Sequence, residues 1–107
     1  MQNSRIDELR KALEKNPNNP LGLYGLASEL FKAKRYDEAL VYLDRYLSLH
    51  EDEGAAYRLL AQCYLNIGNI EKAIEAYEKG IEQAKKFNHE SMVEEFSREI
   101  EMLRDML

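Results

Sequence analysis

Hydrophobic residues recur at helical spacing along nearly the whole of this 107-residue chain. Apolar positions three and four residues apart are typical of amphipathic helices. The pattern predicts six helices and no strands: one ending at Asn16, then residues 20–34, 37–49, one ending at Gly68, 70–86, and 90 to the end. The loops between them are short, so consecutive helices are expected to lie antiparallel.

Several polar residues stand where helices should begin or end. Ser4, with Asp7 three residues later, predicts an N-terminal cap for the first helix. Asn19 before Pro20 predicts a cap followed by a first-turn proline. Gly68 predicts a left-handed C-terminal residue for the fourth helix. These signals support the helix boundaries that the apolar pattern predicts.

The apolar pattern repeats with a period of 34 residues, and residues of similar character match at nine positions. The first set is Leu23, Leu26, Ala27, Leu30, Tyr36, Ala39, Leu40, Leu43 and Leu47, and the second is Tyr57, Leu60, Ala61, Tyr64, Ile70, Ala73, Ile74, Tyr77 and Ile81. A fixed period of this length predicts stacked helix pairs, each burying a face against the next. Such arrays usually present a surface rather than a reaction centre.

The period extends toward both ends of the chain. Ile6, Leu9 and Leu13 lie 34 residues before Leu40, Leu43 and Leu47, so the first helix corresponds to the second half of a unit. Near the other end the offset becomes 36 residues. The positions matched to Tyr57, Leu60, Ala61 and Tyr64 are then Val93, Phe96, Ser97 and Ile100. We therefore predict a single domain composed of a half-unit (1–19), two repeats (20–53 and 54–87) and a C-terminal capping helix (88–107).

The order of bulky and small residues in these units resembles the tetratricopeptide repeat family. The motif of two bulky residues, a small one and a further bulky one is met twice, and Pro17-Asn18-Asn19 resembles the family's closing sequence. The resemblance implies an all-α, right-handed α-solenoid of antiparallel helix pairs. The family usually has a small residue late in the second helix of each unit. Ala12 and Gly80 fit this pattern at the corresponding positions, whereas Tyr46 departs from it.

The charge balance argues against two classes of partner. The chain has 15 basic and 20 acidic residues, a net charge of −5, and no Lys/Arg-rich run, so we expect no nucleic-acid binding. We expect no membrane association either, and a cytoplasmic location, because the chain shows no signal core, spanning segment or basic amphipathic helix. Six acids and two arginines fall between residues 89 and 107. A solvated helix face is the favoured interpretation, and attraction of a basic partner is the alternative.

The chain offers little that suggests catalysis. Cys63 is the single cysteine, so no internal disulfide can form, and its place beside Tyr64 favours a buried thiol over a nucleophile. His50 and His89 flank helix ends as ordinary solvated residues and lack metal-ligand spacing. The glutamates of the last helix favour solubility over acid–base chemistry. We therefore predict no enzyme activity, cofactor or metal.

In the family that this chain resembles, the first helix of each unit lines a concave groove. The candidate peptide-binding residues are those that face away from the packing positions: Leu21, Tyr24, Ser28, Phe31, Lys32, Arg58, Leu59, Gln62, Leu65 and Asn66. Aromatic and arginine side chains are favoured interface anchors. Alternatively, Phe31 and Leu65 seal contacts between units, and Arg58 pairs with Glu94 or Glu95. Tyr24, Ser28 and Leu59 stand where a family subtype that grips carboxylates has Lys and Asn, so that grip is not supported.

We therefore predict a protein- or peptide-binding module. A self-associating module that forms a homo-oligomer through its terminal helices is the alternative. Val41, Tyr42 and Tyr46 are further candidates for a surface patch.

Overall fold

The computed structural model describes residues 2–107, with side chains from residue 4 onward. It contains six helices: α1 (Gln2–Lys15), α2 (Pro20–Lys32), α3 (Tyr36–Leu49), α4 (Ala55–Asn66), α5 (Ile70–Lys86) and α6 (Glu90–Arg104). No strand occurs within residues 2–107. The all-α prediction is confirmed.

The helix ends follow local capping chemistry. The side-chain oxygen of Asn19 accepts a 2.8 Å hydrogen bond from the backbone N–H of Gly22, and Pro20 occupies the first turn of α2, as predicted. Gly68 has a φ of 82° after α4, which confirms its left-handed conformation. The predicted cap at Ser4 is wrong, because α1 begins at Gln2 and Ser4 already lies inside its first turn.

The helices group into two compact units. Unit 1 is Met1–Glu51 and contains α1 to α3, whereas unit 2 is Asp52–Leu107 and contains α4 to α6. Within unit 1, α2 packs against both α1 and α3, and within unit 2, α5 packs against both α4 and α6. Each unit is therefore a three-helix layer in which the middle helix supplies most of the contacts.

The core of unit 1 is built from the apolar positions of the 34-residue pattern. Leu23, Leu26, Leu30 and Leu43 are fully buried. Gly22 permits the close approach of α1, because a Cβ on this residue would lie 2.8 Å from Leu13 Cδ2. Side chains interdigitate at interior density around such contacts, so the small residue is part of the packing.

The core of unit 2 contains a large aromatic side chain packed against the backbone of a neighbouring helix. Phe96 of α6 is fully buried, and a Cβ on Gly80 of α5 would lie 2.6 Å from its ring. The ring of Tyr77 lies 5.1 Å from that of Phe96, measured between centroids. Ala61 and Ala73, the small positions of the repeat, are also fully buried. Gly80 therefore makes room for the ring that joins α6 to α5.

Candidate functional site

One face of α2 in unit 1 carries the first group of predicted binding residues. Leu21 is 83% exposed, which is the highest value among the exposed large hydrophobic residues of the described chain. The others are half-buried or exposed and share the same side of the helix: Tyr24, Ser28, Phe31 and Lys32. We call these five residues the α2 face. It is predominantly apolar, because Lys32 supplies its one charged group.

The ring of Tyr24 is held in place by its neighbours. It makes an edge-on contact with the ring of Tyr46, with 5.5 Å between the centroids, and Tyr46 lies 5.6 Å from the ring of His50. His50 Nε2 is 2.9 Å from the carbonyl oxygen of Asn18. A carbonyl oxygen can only accept, so Nε2 carries the proton in this contact. His50 flanks the end of α3, as predicted, and it is half-buried because the turn after α3 brings it against the loop before α2.

The remaining members of the α2 face also have partners within unit 1. Phe31 packs edge-on against Tyr36, with 5.5 Å between the ring centroids. Lys32 Nζ donates a 3.1 Å hydrogen bond to Glu29 Oε2 on the same helix. The face is thus an ordered surface with two aromatic rings fixed by their contacts.

The corresponding face of α4 in unit 2 is polar. Arg58, Gln62 and Leu65 are half-buried and Asn66 is exposed. We call these four residues the α4 face. Leu59 does not belong to it, since it is only 9% exposed and lies on the side of the helix that carries Ala56 and Cys63, both of which are buried. The prediction that Leu59 lines an open surface is corrected for that reason.

Arg58 makes the strongest polar contact of the α4 face. Its Nε donates a 2.7 Å hydrogen bond to Glu95 Oε2, and its Nη2 donates a 2.7 Å hydrogen bond to Glu95 Oε1. Its guanidinium carbon lies 5.4 Å from the centre of the Phe96 ring. The alternative in which Arg58 pairs with a glutamate of α6 is therefore observed, with Glu95 as the partner. These hydrogen bonds lower the pKa of the Glu95 carboxyl, against an opposing effect of desolvation.

An open depression of about 480 Å³ adjoins this ion pair in unit 2. Its lining residues are Arg58, Asn88, His89, Glu90, Ser91, Met92 and Glu95. Met92 sulfur occupies the space into which a side chain at Gly54 would project, and Gly54 has a φ of 138°, so glycine is required there. Residues 88–92 were not among the predicted site residues. The two-residue slip in the repeat before α6 was the signal that this connection is irregular.

Cys63, the single cysteine, is buried and is not activated by its surroundings. Burial raises the pKa of the Cys63 thiol to about 11, so it stays protonated at neutral pH and is a poor nucleophile. No group of three or more His, Cys, Asp or Glu side chains in the described part of the chain could hold a metal ion. None of the helices described here is both long and apolar enough to cross a membrane.

Two family models, both of the tetratricopeptide repeat, match residues 30–90 and residues 8–41. Among curated proteins, the chain is 31% identical over 71 residues to anaphase-promoting complex subunit 3 of Dictyostelium discoideum, covering 66% of this chain and 7% of that protein. It is 30% identical over 77 residues to small glutamine-rich tetratricopeptide repeat-containing protein 2 of Mycosarcoma maydis, covering 72% and 22%.

The chain is also 32% identical over 69 residues to the mitochondrial import receptor subunit TOM70 of Saccharomyces cerevisiae, covering 64% of this chain and 11% of that protein. The chain thus spans between 7% and 22% of the length of these three relatives.

Proposed function

Because the chain belongs to the tetratricopeptide repeat family, we propose that it is a protein-interaction module that binds peptide segments, with the α2 face of unit 1 and the α4 face of unit 2 each taken by itself as a binding surface. Domains of this family are in general non-catalytic, and the described residues supply neither a reactive thiol nor a metal cluster. The ligand that we propose is a protein or peptide segment.

The exposure of Leu21 is the observation that carries this proposal. It is 83% exposed in the first turn of α2, where the Asn19 cap already stabilises the helix end. An isolated exposed leucine is common in folded proteins, but this one shares its helix face with the rings of Tyr24 and Phe31. Burying these groups under a ligand would remove apolar surface from water.

The fixed rings make the α2 face a favourable place for a ligand. Binding is weakened when flexible side chains must be ordered in the complex. The contacts of Tyr24 with Tyr46, and of Phe31 with Tyr36, already restrict both rings before any ligand arrives. On the α4 face, Gln62 and Asn66 add groups that can hydrogen-bond to a peptide backbone.

A peptide titration tests the proposal. Peptides selected against the wild-type chain should bind Leu21→Ser and Tyr24→Ala about five- to tenfold more weakly, since each change removes apolar contact area. Val41→Ser is the matched control, because Val41 is 55% exposed on α3 and lies outside both faces. Equal affinity of all three variants and the wild type would overturn the assignment to the α2 face.

Self-association through the terminal helices has less support. The buried residues of α1 and α6 face their own units, and the opposite sides carry charged residues such as Arg5, Glu8, Glu94 and Glu101. Light scattering separates the two hypotheses, since an interaction module of this kind is expected at the mass of one chain. A stable dimer dissociated by changes on α1 or α6 would favour self-association.

A further inference from the structure

His50 joins two parts of unit 1 that lie far apart in the sequence. It follows the last residue of α3, and its backbone N–H donates a 2.9 Å hydrogen bond to the carbonyl oxygen of Tyr46. Its side chain extends to the loop before α2, where Nε2 donates a 2.9 Å hydrogen bond to the carbonyl oxygen of Asn18, 32 residues earlier in the chain. Because the backbone and the side chain are each held by a hydrogen bond, the imidazole has a defined position.

The loop that accepts the side-chain hydrogen bond is itself tied down. The backbone N–H of Asn19 donates a 3.2 Å hydrogen bond to the carbonyl oxygen of Asn16, which closes a turn that contains Asn18. The side-chain oxygen of Asn19 also accepts the 2.8 Å hydrogen bond from Gly22 that caps α2. The imidazole of His50 is therefore anchored to a turn that is bonded on both sides.

The imidazole also forms one end of a row of three aromatic rings. Its ring lies 5.6 Å from that of Tyr46, and the Tyr46 ring lies 5.5 Å from that of Tyr24, both measured between centroids. An edge-on pair of tyrosine rings at this separation is favourable beyond the area that it buries. The row runs from the turn before α2, through Tyr46 of α3, to the half-buried ring of Tyr24 on the α2 face.

This row gives a physical reason why a residue outside the α2 face should affect binding there. Ordering a mobile side chain at an interface costs free energy, and a ring that is already in position avoids much of that cost. Removal of the imidazole would take one aromatic contact from Tyr46, and Tyr46 would then restrain Tyr24 less firmly. The cost of ordering Tyr24 would therefore fall on the binding step.

The second histidine of the chain offers a comparison. His89 also flanks a helix end, at the start of α6, and its Nε2 lies 3.1 Å from Glu53 Oε1. Both residues belong to unit 2, and neither is a member of the α2 face or the α4 face. Two histidines in similar places thus differ in what they contact: a carboxylate in one case, and a turn and an aromatic row in the other.

We propose that His50 is a positioning residue of the α2 face, which holds the ring of Tyr24 in the orientation that binds a peptide. It acts through Tyr46, and its hydrogen bond to Asn18 keeps the imidazole in place against that ring. This inference rests on the proposed peptide-binding function and adds the residue that prepares the α2 face for its ligand.

A double-mutant cycle on the full chain tests the inference, with selected peptides that lose affinity when Tyr24 is changed to alanine. His50→Ala should weaken their binding about threefold, because the Tyr24 ring must then be ordered in the complex. In the Tyr24→Ala background the same change should cost less than about 1.5-fold, because the ring on which His50 acts is gone. His89→Ala is the matched control and should change affinity by less than about 1.5-fold.

Two further measurements separate positioning from a general loss of stability. His50→Phe keeps a ring beside Tyr46 without the hydrogen bond to Asn18, so it should lose less affinity than His50→Ala. In NMR spectra of the unliganded chain, the nuclear Overhauser effect between the ring protons of Tyr24 and Tyr46 should weaken in His50→Ala and persist in His89→Ala.

The outcomes distinguish this inference from the function on which it rests. Equal weakening by His50→Ala with and without the Tyr24 ring would overturn the inference, because His50 would then act independently of that ring. Wild-type affinity of His50→Ala, or an unchanged Overhauser effect, would overturn it as well. These results leave the proposed function intact, since the peptides still depend on Tyr24. If no selected peptide depends on Tyr24, both the inference and the assignment of binding to the α2 face fail.

Discussion

Tyr46 and Gly80 occupy equivalent positions in two successive repeats, but Tyr46 has a large side chain and Gly80 has none. Gly80 has no side chain, and the buried ring of Phe96 lies directly on the α5 backbone. Tyr46 extends from α3 to the ring of Tyr24 on α2 and is half-buried. One unit uses the position to close its core, and the other uses it to support its exposed face.

The difference extends to the exposed faces of the two units. The α2 face of unit 1 is dominated by Leu21, Tyr24 and Phe31, whereas the α4 face of unit 2 is dominated by Arg58 and amides. A repeat fixes where side chains project but not their chemistry. The same scaffold can therefore present an apolar surface in one unit and a charged one in the next.

The largest expected effect comes from comparing two phenylalanines of different burial. Phe96→Ala should lower the free energy of unfolding by about 3–5 kcal/mol, because a fully buried ring leaves a cavity. Phe31→Ala should lower it by less than about 2 kcal/mol, because the ring is half-buried. Urea unfolding followed by circular dichroism measures both. Equal losses would mean that the two rings contribute alike to stability.

The second comparison is between two helical glycines. A Cβ at Gly80 would lie 2.6 and 2.9 Å from the Phe96 ring and 3.0 Å from Tyr57 Cβ, so Gly80→Ala should destabilise by about 1–2 kcal/mol despite better helix propensity. At Gly25 the nearest atom is Leu9 Cδ2 at 3.4 Å. Gly25→Ala should therefore be neutral or stabilising by up to about 1 kcal/mol. The same unfolding assay applies, and stabilisation by both changes would refute the close packing at Gly80.

The smallest effect concerns two ion pairs and their pH dependence. The pKa of Glu95 is lowered chiefly by hydrogen bonds from Arg58, so this pair stabilises the fold above the unfolded pKa of about 4.3. That stabilisation is lost as the pH falls through the lower folded pKa. Arg58→Gln should destabilise by less than about 1 kcal/mol at pH 7, since the pair is partly exposed, and the difference from wild type should shrink as the pH falls from 7 toward 3.

Arg35→Gln in unit 1 is the matched control for that measurement. Glu38 also has a lowered pKa, but it is hydrogen-bonded by both Arg35 and Arg10. Arg10 remains after the substitution, so the loss at pH 7 should be smaller than for Arg58→Gln. A loss that is the same at pH 3 and pH 7 for Arg58→Gln would mean that its side chain acts through packing and not through Glu95.

The sequence predicts most of the fold because helix formation here depends on local signals. Two of these signals act over only a few residues and are confirmed: the cap at Asn19–Pro20 and the left-handed glycine at residue 68. The 34-residue pattern is built from apolar spacings within single helices, and most of its positions are buried. Ser4 was misassigned because capping residues are also tolerated inside a first turn.

The candidate site was harder to predict because it depends on contacts between distant residues. Arg58 reaches Glu95 rather than Glu94 only because of how α6 is turned against α4, and the repeat slip before α6 hides that register. The contact between the rings of Tyr46 and Tyr24 joins two helices, so it depends on how α3 packs against α2. Leu59 is buried on the side of α4 that also carries Ala56 and Cys63, none of which belongs to the positions matched by the 34-residue pattern.

An NMR titration of the ¹⁵N-labelled chain with a selected peptide tests the central claim most directly. We predict that the largest amide shifts fall within residues 21–32 of α2 and 58–66 of α4, with small shifts on α3 and α5 around Val41 and Glu75. The largest shifts on α3 or α5, with α2 and α4 unchanged, would contradict the claim that the chain binds peptides through these two faces.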